Sequence, residues 1–157
     1  MRIDSLIRRQ VDTANPAETV QAIAHRMMQR NVGTLVVVDA AGRPVGIVTD
    51  RDLVTRVLAK RRDAAETHVE DVMTRRPYTV TEEATADVAL LLMSEGGIRR
   101  VPVVGPDREL VGILSLDDVL RALVADMDRA SLVLESQTPE RAASLTAGSA
   151  VAAKAGR

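Results

Sequence analysis

The chain repeats itself, and the repeat limits what it can fold into more than any other feature. Val45-Gly46-Ile47-Val48-Thr49 returns 66 positions later as Val111-Gly112-Ile113-Leu114-Ser115. The same offset, without a gap, places Leu35-Val36-Val37-Val38 on Val101-Pro102-Val103-Val104 and Leu6-Ile7 on Val72-Met73. It also sets Thr13 on Thr79, Thr19 on Thr85, Met27 on Met93 and Asp52 on Asp118. An unbroken register of this length marks a tandem duplication, and self-similarity at a fixed period decides architecture before finer signals are read.

Both copies carry the same pattern. Residues 16–30 place Val20, Ile23, Ala24 and Met27 at helical spacing, with Pro16 and Glu18 suited to a first turn. Residues 82–95 repeat this with Val88, Leu91, Leu92 and Met93. A β-rich run follows each helix, then turn chemistry at Ala40-Ala41-Gly42-Arg43 and Gly105-Pro106-Asp107-Arg108, then a second strand over 44–48 and 110–114. Closing helices are expected at about 50–60, with Leu53, Val57 and Leu58, and at 116–127, with Val119, Leu120 and Leu123. Met27, Met28 and Met93 read as core filler.

The expected fold class is therefore α/β (α+β). Two tandem repeats, each helix-strand-strand-helix with a short leading extended segment near Thr13 or Thr79, pack as a pseudo-two-fold pair. Neither copy alone has many core positions, so each must bury its sheet against the other. The first repeat is expected over 1–60, a polar linker over 61–68 and the second repeat over 69–127. Residues 128–157 read as a C-terminal tail, partly disordered, since 141–157 is Ala, Ser, Gly and Thr without periodicity. A partner-binding helix around 129–135 is an alternative for part of it.

Composition removes several function classes. The formal net charge is -1, which leaves no broad attraction for nucleic acid. Arg61-Arg62 is short and is balanced by Asp63 and Glu66. With no Cys and two isolated His, thiolate metal sites, disulfides and a Cys nucleophile are excluded, and no metal site is expected. His25 reads as a surface or boundary side chain, and His68 sits in the linker without a second ligand. No apolar run is long enough to cross a bilayer, and the first nine residues lack a signal peptide's apolar stretch. A cytoplasmic protein without membrane contact is expected. One Tyr, no Phe and no Trp leave the core to aliphatic residues and Met.

Thr49-Asp50-Arg51-Asp52 and Ser115-Leu116-Asp117-Asp118 each stand where a strand meets a helix. A hydroxyl followed three residues later by a carboxylate is close to a capping box, in which both groups satisfy orphan backbone N–H donors. The same geometry serves a nucleotide. The helix start attracts phosphate, and a carboxylate one turn on can take both ribose hydroxyls. Asp50, Asp52, Asp117 and Asp118 read either as solvated helix-start acids or as partners of Mg²⁺ beside phosphates.

Gly46-Ile47-Val48-Thr49-Asp50-Arg51-Asp52 and Gly112-Ile113-Leu114-Ser115-Leu116-Asp117-Asp118 resemble the signature of cystathionine-β-synthase (CBS) domains. Ile98-Arg99-Arg100-Val101-Pro102-Val103-Val104 is similar to that family's first-strand signature. The resemblance covers roughly residues 3–127 and implies a tandem pair, or Bateman module, here standing alone. It implies two clefts that commonly hold adenine nucleotides such as AMP, ADP or ATP, each taking a ribose carboxylate from one repeat and an adenine-facing backbone from the other. Carried onto this chain, one cleft combines Thr49 and Asp52 with Tyr78, Ile98, Arg99 and Arg100. The other combines Ser115 and Asp118 with Asp12, Val32, Gly33 and Thr34. The copies differ: Gly33-Thr34 faces the basic pair Arg99-Arg100 at equivalent positions, and Asp12 replaces Tyr78. Phosphate is therefore expected in the first cleft.

The function these features imply is a non-enzymatic regulatory module that binds an adenine nucleotide between its repeats and signals to a partner protein. No nucleophile–base pair stands out, so turnover is not expected. The rival reading is a structural dimerisation module with empty clefts, and a third is a nucleotide-dependent enzyme. The ligand is left open among AMP, ATP and S-adenosylmethionine, with Mg²⁺ possible beside ATP. The resemblance implies a flat homodimer built through helices, and the closing helices carry more apolar residues than one core stripe needs.

Overall fold

The computed structural model describes residues 1–136. Helix α1 (Val20–Arg30) and helix α3 (Ala86–Gly96) begin at Thr19 and Thr85, whose side chains accept the backbone N–H of Ala22 and Val88. Each hydroxyl satisfies one of the unpaired donors of a helix start. Each helix ends on a left-handed residue, Asn31 at φ 53° and Gly97 at φ 59°, which lets the chain turn back to cap the last carbonyls. α1 starts four residues later than its sequence expectation because residues 15–18 form a turn of their own. The Glu18 N–H donates to the Asn15 carbonyl at 3.1 Å, and Glu18 Oε1 accepts the Asn15 N–H at 2.7 Å.

α1 buries Val20, Ile23 and Met27, and α3 buries Ala86, Ala89 and Met93 at the same register. This corrects the face expected for α3: Val88 and Leu91 are exposed. Met28 is also exposed, so it is not core filler.

Two small sheets follow the same rule. In the first, β1 (Thr13–Ala14) runs parallel to β2 (Thr34–Val38), which pairs antiparallel with β3 (Pro44–Thr49). In the second, β5 (Val80–Thr81), β6 (Arg100–Val104) and β7 (Leu110–Ser115) reproduce the pattern, with a register shift at Val103/Val104 matching that at Val37/Val38. The first sheet has a fourth strand, β4 (Thr74–Arg75), ahead of the second repeat's own elements yet paired with β3 through Ile47 and Gly46. Reciprocally, Arg8, the counterpart of Thr74, bridges Ile113 on β7. Each leading segment thus covers the open edge of the other repeat's sheet, where unpaired backbone groups would otherwise stand.

This exchange explains the glycine of each repeated motif. A Cβ on Gly46 would collide with the Met73 side chain, and one on Gly112 with the Ile7 side chain and, at 3.0 Å, the Arg8 carbonyl. The main cluster of buried side chains includes Ile23, Met27, Leu35, Val37, Val48, Val57, Val69 and Val72, with Ala64 packed against it. Residues 61–68 are strapped to α1 rather than hanging free: the Val20 and Gln21 N–H groups donate to the Thr67 and Ala64 carbonyls, both at 2.9 Å.

Helix α2 (Asp50–Asp52) continues as a π-helical segment, Leu53–Leu58, with Val57 buried and Val54 and Leu58 exposed. Helix α4 (Leu116–Ser136) runs past residue 128, where the repeat ends. The chain divides into two compact units, Met1–Asp118 and a second opening at Val119. The described part of the second is the rest of α4, with Leu120, Leu123, Val124 and Met127 exposed. Of the tail expected over 128–157, residues 128–136 belong to α4 and residues 137–157 lie outside the described residues. Among the described residues, no helix is long and apolar enough to cross a membrane.

Candidate functional site

The strand-to-helix junction after β3 is a complete capping box. Thr49 Oγ1 accepts the Asp52 N–H at 3.2 Å and donates to Asp52 Oδ2 at 2.8 Å, while Oδ2 also accepts the Thr49 N–H at 2.9 Å. Asp52 Oδ1 lies 3.0 Å from Arg56 Nη2 one turn on. The structural role of the motif is therefore realised, and one face of the carboxylate still borders open space.

That space is a cavity of about 690 Å³ bordered by both repeats. It brings together all six side chains that the resemblance assigns to one cleft: Thr49, Asp52, Tyr78, Ile98, Arg99 and Arg100. Gly33 and Thr34, which the resemblance assigns to the other cleft, line this one as well, and Arg100 Nη1 donates to Thr34 Oγ1 at 3.1 Å. The Tyr78 ring lies against Gly96, where a Cβ would come within 2.8 Å of it. A half-exposed aromatic ring beside Ile98 is a flat apolar surface suited to a purine face.

The charge of the cavity exceeds what the motifs suggest. Arg51, Arg75 and Arg76 join Arg99 and Arg100 on its lining, against Asp50 and Asp52. Arg75 Nη2 is 3.9 Å from a Glu70 carboxylate oxygen, and Arg99 Nη2 is 3.3 Å from Asp117 Oδ1. Arg76 has left-handed backbone, φ 52°, a conformation that strains any residue with a Cβ. Motif reading missed Arg51, Arg75, Arg76 and Gly96. The signal that could have found Arg51 and Arg76 is the repeat itself, which sets Asp117 and Gln10 at their counterpart positions.

The second motif is arranged differently. Ser115 Oγ accepts the Asp118 N–H at 3.1 Å and donates to Asp118 Oδ2 at 2.5 Å. Arg8 then closes on the same carboxylate, and that contact raises the Arg8 pKa, first through the side-chain hydrogen bond and then through the charge of Asp118. Asp12 is turned to another partner, Arg30, at 3.8 Å, and lines a polar groove with Glu18, His25 and Arg26. Val32 packs against the main core cluster, its N–H donating to the Met27 carbonyl at 3.0 Å. The structure thus brings Ser115 and Asp118 together with Arg8, and places Asp12 with Arg30. Among the described residues, no group of three His, Cys, Asp or Glu could hold a metal ion.

Comparison with known proteins gives a consistent pattern. The family model described as CBS domain matches twice, over residues 3–59 and 69–125. YlbB of Bacillus subtilis, an uncharacterized protein, is 36% identical over 144 residues, covering 91% of this chain and 87% of that protein. An uncharacterized protein of Methanopyrus kandleri is 35% identical over 119 residues, or 76% of this chain, and the match spans 61% of that protein's length. Among solved structures, the CBS domain pair of protein MJ0100, in complex with 5′-methylthioadenosine and S-adenosyl-L-methionine, aligns with a TM-score of 0.70 at 28% identity, covering 78% of this chain and 99% of that one. A CBS-domain containing protein from Agrobacterium tumefaciens aligns with a TM-score of 0.70 at 30% identity, covering 78% of this chain and 98% of that one.

Proposed function

This chain belongs to the CBS domain family, and on that premise we propose that it is a non-enzymatic regulatory module binding an adenine nucleotide (AMP, ADP or ATP) between its repeats. The observation that carries this reading is the cavity in which Asp52, Tyr78, Ile98 and five arginines meet. Tyr78 and Ile98 offer a surface for adenine, Asp52 a carboxylate for ribose hydroxyls, and the arginines planar charge-assisted donors for phosphate. The MJ0100 pair, with its two adenosine-bearing ligands, supports an adenosine site in this fold. Mg²⁺ would arrive with ATP as its counter-ion. The module would act in the cytoplasm as a homodimer, passing ligand state to a partner protein.

Calorimetry decides the reading. AMP, ADP, ATP and S-adenosylmethionine are titrated into the protein, and micromolar binding of at least one nucleotide is expected. With one Tyr and no Trp, retained nucleotide would also dominate the ultraviolet spectrum of the purified protein. No heat from any of the four would leave the second reading, a structural dimerisation module with empty clefts. A specific observation favours that rival: the Thr49–Asp52 capping box is complete without a ligand.

A further inference from the structure

We propose that the cavity selects a nucleoside polyphosphate, with Arg51 and Arg76 holding the phosphates beyond the first. The inference rests on the adenine-nucleotide reading and adds the charge class of the ligand and two residues that set it.

The duplication supplies an internal control. At the positions of Arg51, Arg76, Arg99 and Arg100, the other copy carries Asp117, Gln10, Gly33 and Thr34. Both copies build the first helix, its caps and the central antiparallel strand pair in the same register. Those shared elements form without these four guanidiniums, and their gathering on one cavity calls for another cause. Like charges held close repel one another, and a cleft with low-dielectric walls concentrates their field. An anion relieves that repulsion.

The pairing of the arginines indicates how many phosphates are met. Arg75 is tied to Glu70 and Arg99 to Asp117, while Asp52 is neutralised by Arg56. Arg100 bonds only a neutral hydroxyl, that of Thr34. Arg51 and Arg76 are exposed on the cavity lining, and among the described residues their guanidiniums have no hydrogen-bond or ion-pair partner. Their backbones are nonetheless fixed: the Arg51 N–H donates to Asp50 Oδ1 at 2.7 Å and the Arg76 N–H to the Val45 carbonyl at 3.2 Å. Two anchored arginines with unused forks offer bidentate seats that a single phosphate beside Arg99 and Arg100 would leave empty. A sulfonium ligand such as S-adenosylmethionine would bring positive charge into the same field.

The test compares adenosine, AMP, ADP, ATP, S-adenosylmethionine and inorganic triphosphate by calorimetry on the full chain and on Arg51→Ala/Arg76→Ala. The wild type is expected to bind ATP at least about tenfold more tightly than AMP, the difference one charge-assisted contact supplies. The double variant is expected to lose that gain and to bind AMP and ATP about equally, with an unchanged circular dichroism spectrum showing that it folds. Equal affinity for AMP and ATP in the wild type, an ATP preference that survives in the variant, or tightest binding of S-adenosylmethionine overturns the proposal. Triphosphate bound through the two arginines, with silence from adenosine and AMP, upholds their phosphate role and removes the adenine reading instead. Silence from every compound overturns both.

Discussion

Arg8 grips the carboxylate of Asp118 with two parallel hydrogen bonds, Nε to Oδ2 at 3.2 Å and Nη2 to Oδ1 at 3.0 Å. The two residues stand 110 positions apart, and the contact exists because the first repeat's leading segment crosses to β7 of the second. In the other half, Thr74 stands where Arg8 does, too short to make the same reach, and Asp52 takes Arg56 from its own helix. One motif thus keeps a cavity beside its carboxylate, and the other has its carboxylate filled from across the sheet.

Asp52→Ala and Asp118→Ala should therefore cost similar stability and differ in binding. Each removes the carboxylate that accepts from its helix-start hydroxyl, Thr49 or Ser115, a hydrogen bond worth ~1 kcal/mol, while the Arg8 pair, 62% exposed on the arginine side, adds at most ~1 kcal/mol. Nucleotide affinity should fall at least about tenfold for Asp52→Ala alone. Urea denaturation beside titration of both variants checks this; loss of binding in Asp118→Ala with Asp52→Ala unaffected would mean that the ligand sits at the other motif.

Arg99→Ala/Arg100→Ala should weaken nucleotide binding by about tenfold or more, since a charge-assisted contact contributes ~1.5–3 kcal/mol. Wild-type affinity should fall as salt rises, and the double variant should show a shallower salt dependence because fewer ionic contacts remain. Titrations at low and high ionic strength measure both slopes.

The two motif glycines should not tolerate alanine equally. Gly46→Ala meets the Met73 side chain, which has free torsions and can shift aside. Gly112→Ala meets Ile7 and also the Arg8 backbone carbonyl, which is held in the bridge to Ile113. Overpacking of that kind typically costs ~1–3 kcal/mol, so Gly112→Ala is expected to be the less stable variant. A thermal melt showing the reverse order would count against the strand exchange as the reason for these glycines.

Stability should fall in acid through Glu18. Its carboxylate accepts from Arg26, which holds its pKa below the ordinary value of 4.5; burial opposes this, and the Asn15 N–H adds to the lowering. A folded-state pKa below the unfolded one contributes stability that is complete above the unfolded pKa and is lost as pH falls through the folded value. As pH falls below about 5 the wild type should therefore lose more stability than Glu18→Gln, and the two curves should run parallel at higher pH. Denaturation midpoints across the series test it.

A homodimer should form, with light scattering giving twice the 16.9 kDa chain mass. Val54 and Leu58 lie exposed on the segment after α2, as do Leu120 and Leu123 on α4, and exposed apolar residues grouped on helices suit a two-fold contact. Val54→Glu/Leu58→Glu should shift the mass toward the monomer without unfolding the chain, because neither side chain is in the core. A wild type of monomer mass at micromolar concentration would end this prediction.

The amino-acid sequence by itself determined the period, the order of helix, strand, strand and helix in each repeat, and the two strand-to-helix junctions, while α1 and α3 open at Val20 and Ala86, four residues beyond their expected starts. The Thr49–Asp52 and Ser115–Asp118 junctions act within a few residues, so short-range chemistry is enough to read them, whereas the caps at Thr19 and Thr85 and the left-handed ends at Asn31 and Gly97 came from the structure, because helical spacing alone does not mark where a helix opens or closes. Tertiary structure decided what depends on distant partners. Periodicity alone could not choose between the Val88–Leu91 face of α3 and the Ala86–Ala89–Met93 face that is buried, since both repeat at helical spacing and only packing separates them. Nor could local pattern show that Arg8 would reach Asp118, or that Arg51 and Arg76 would meet Arg99 and Arg100 across one cavity. An open sheet edge accepts whichever strand the fold brings to it, because its hydrogen bonds are the same for any backbone, and that choice, made over tens of residues, distributed the charges between the two halves.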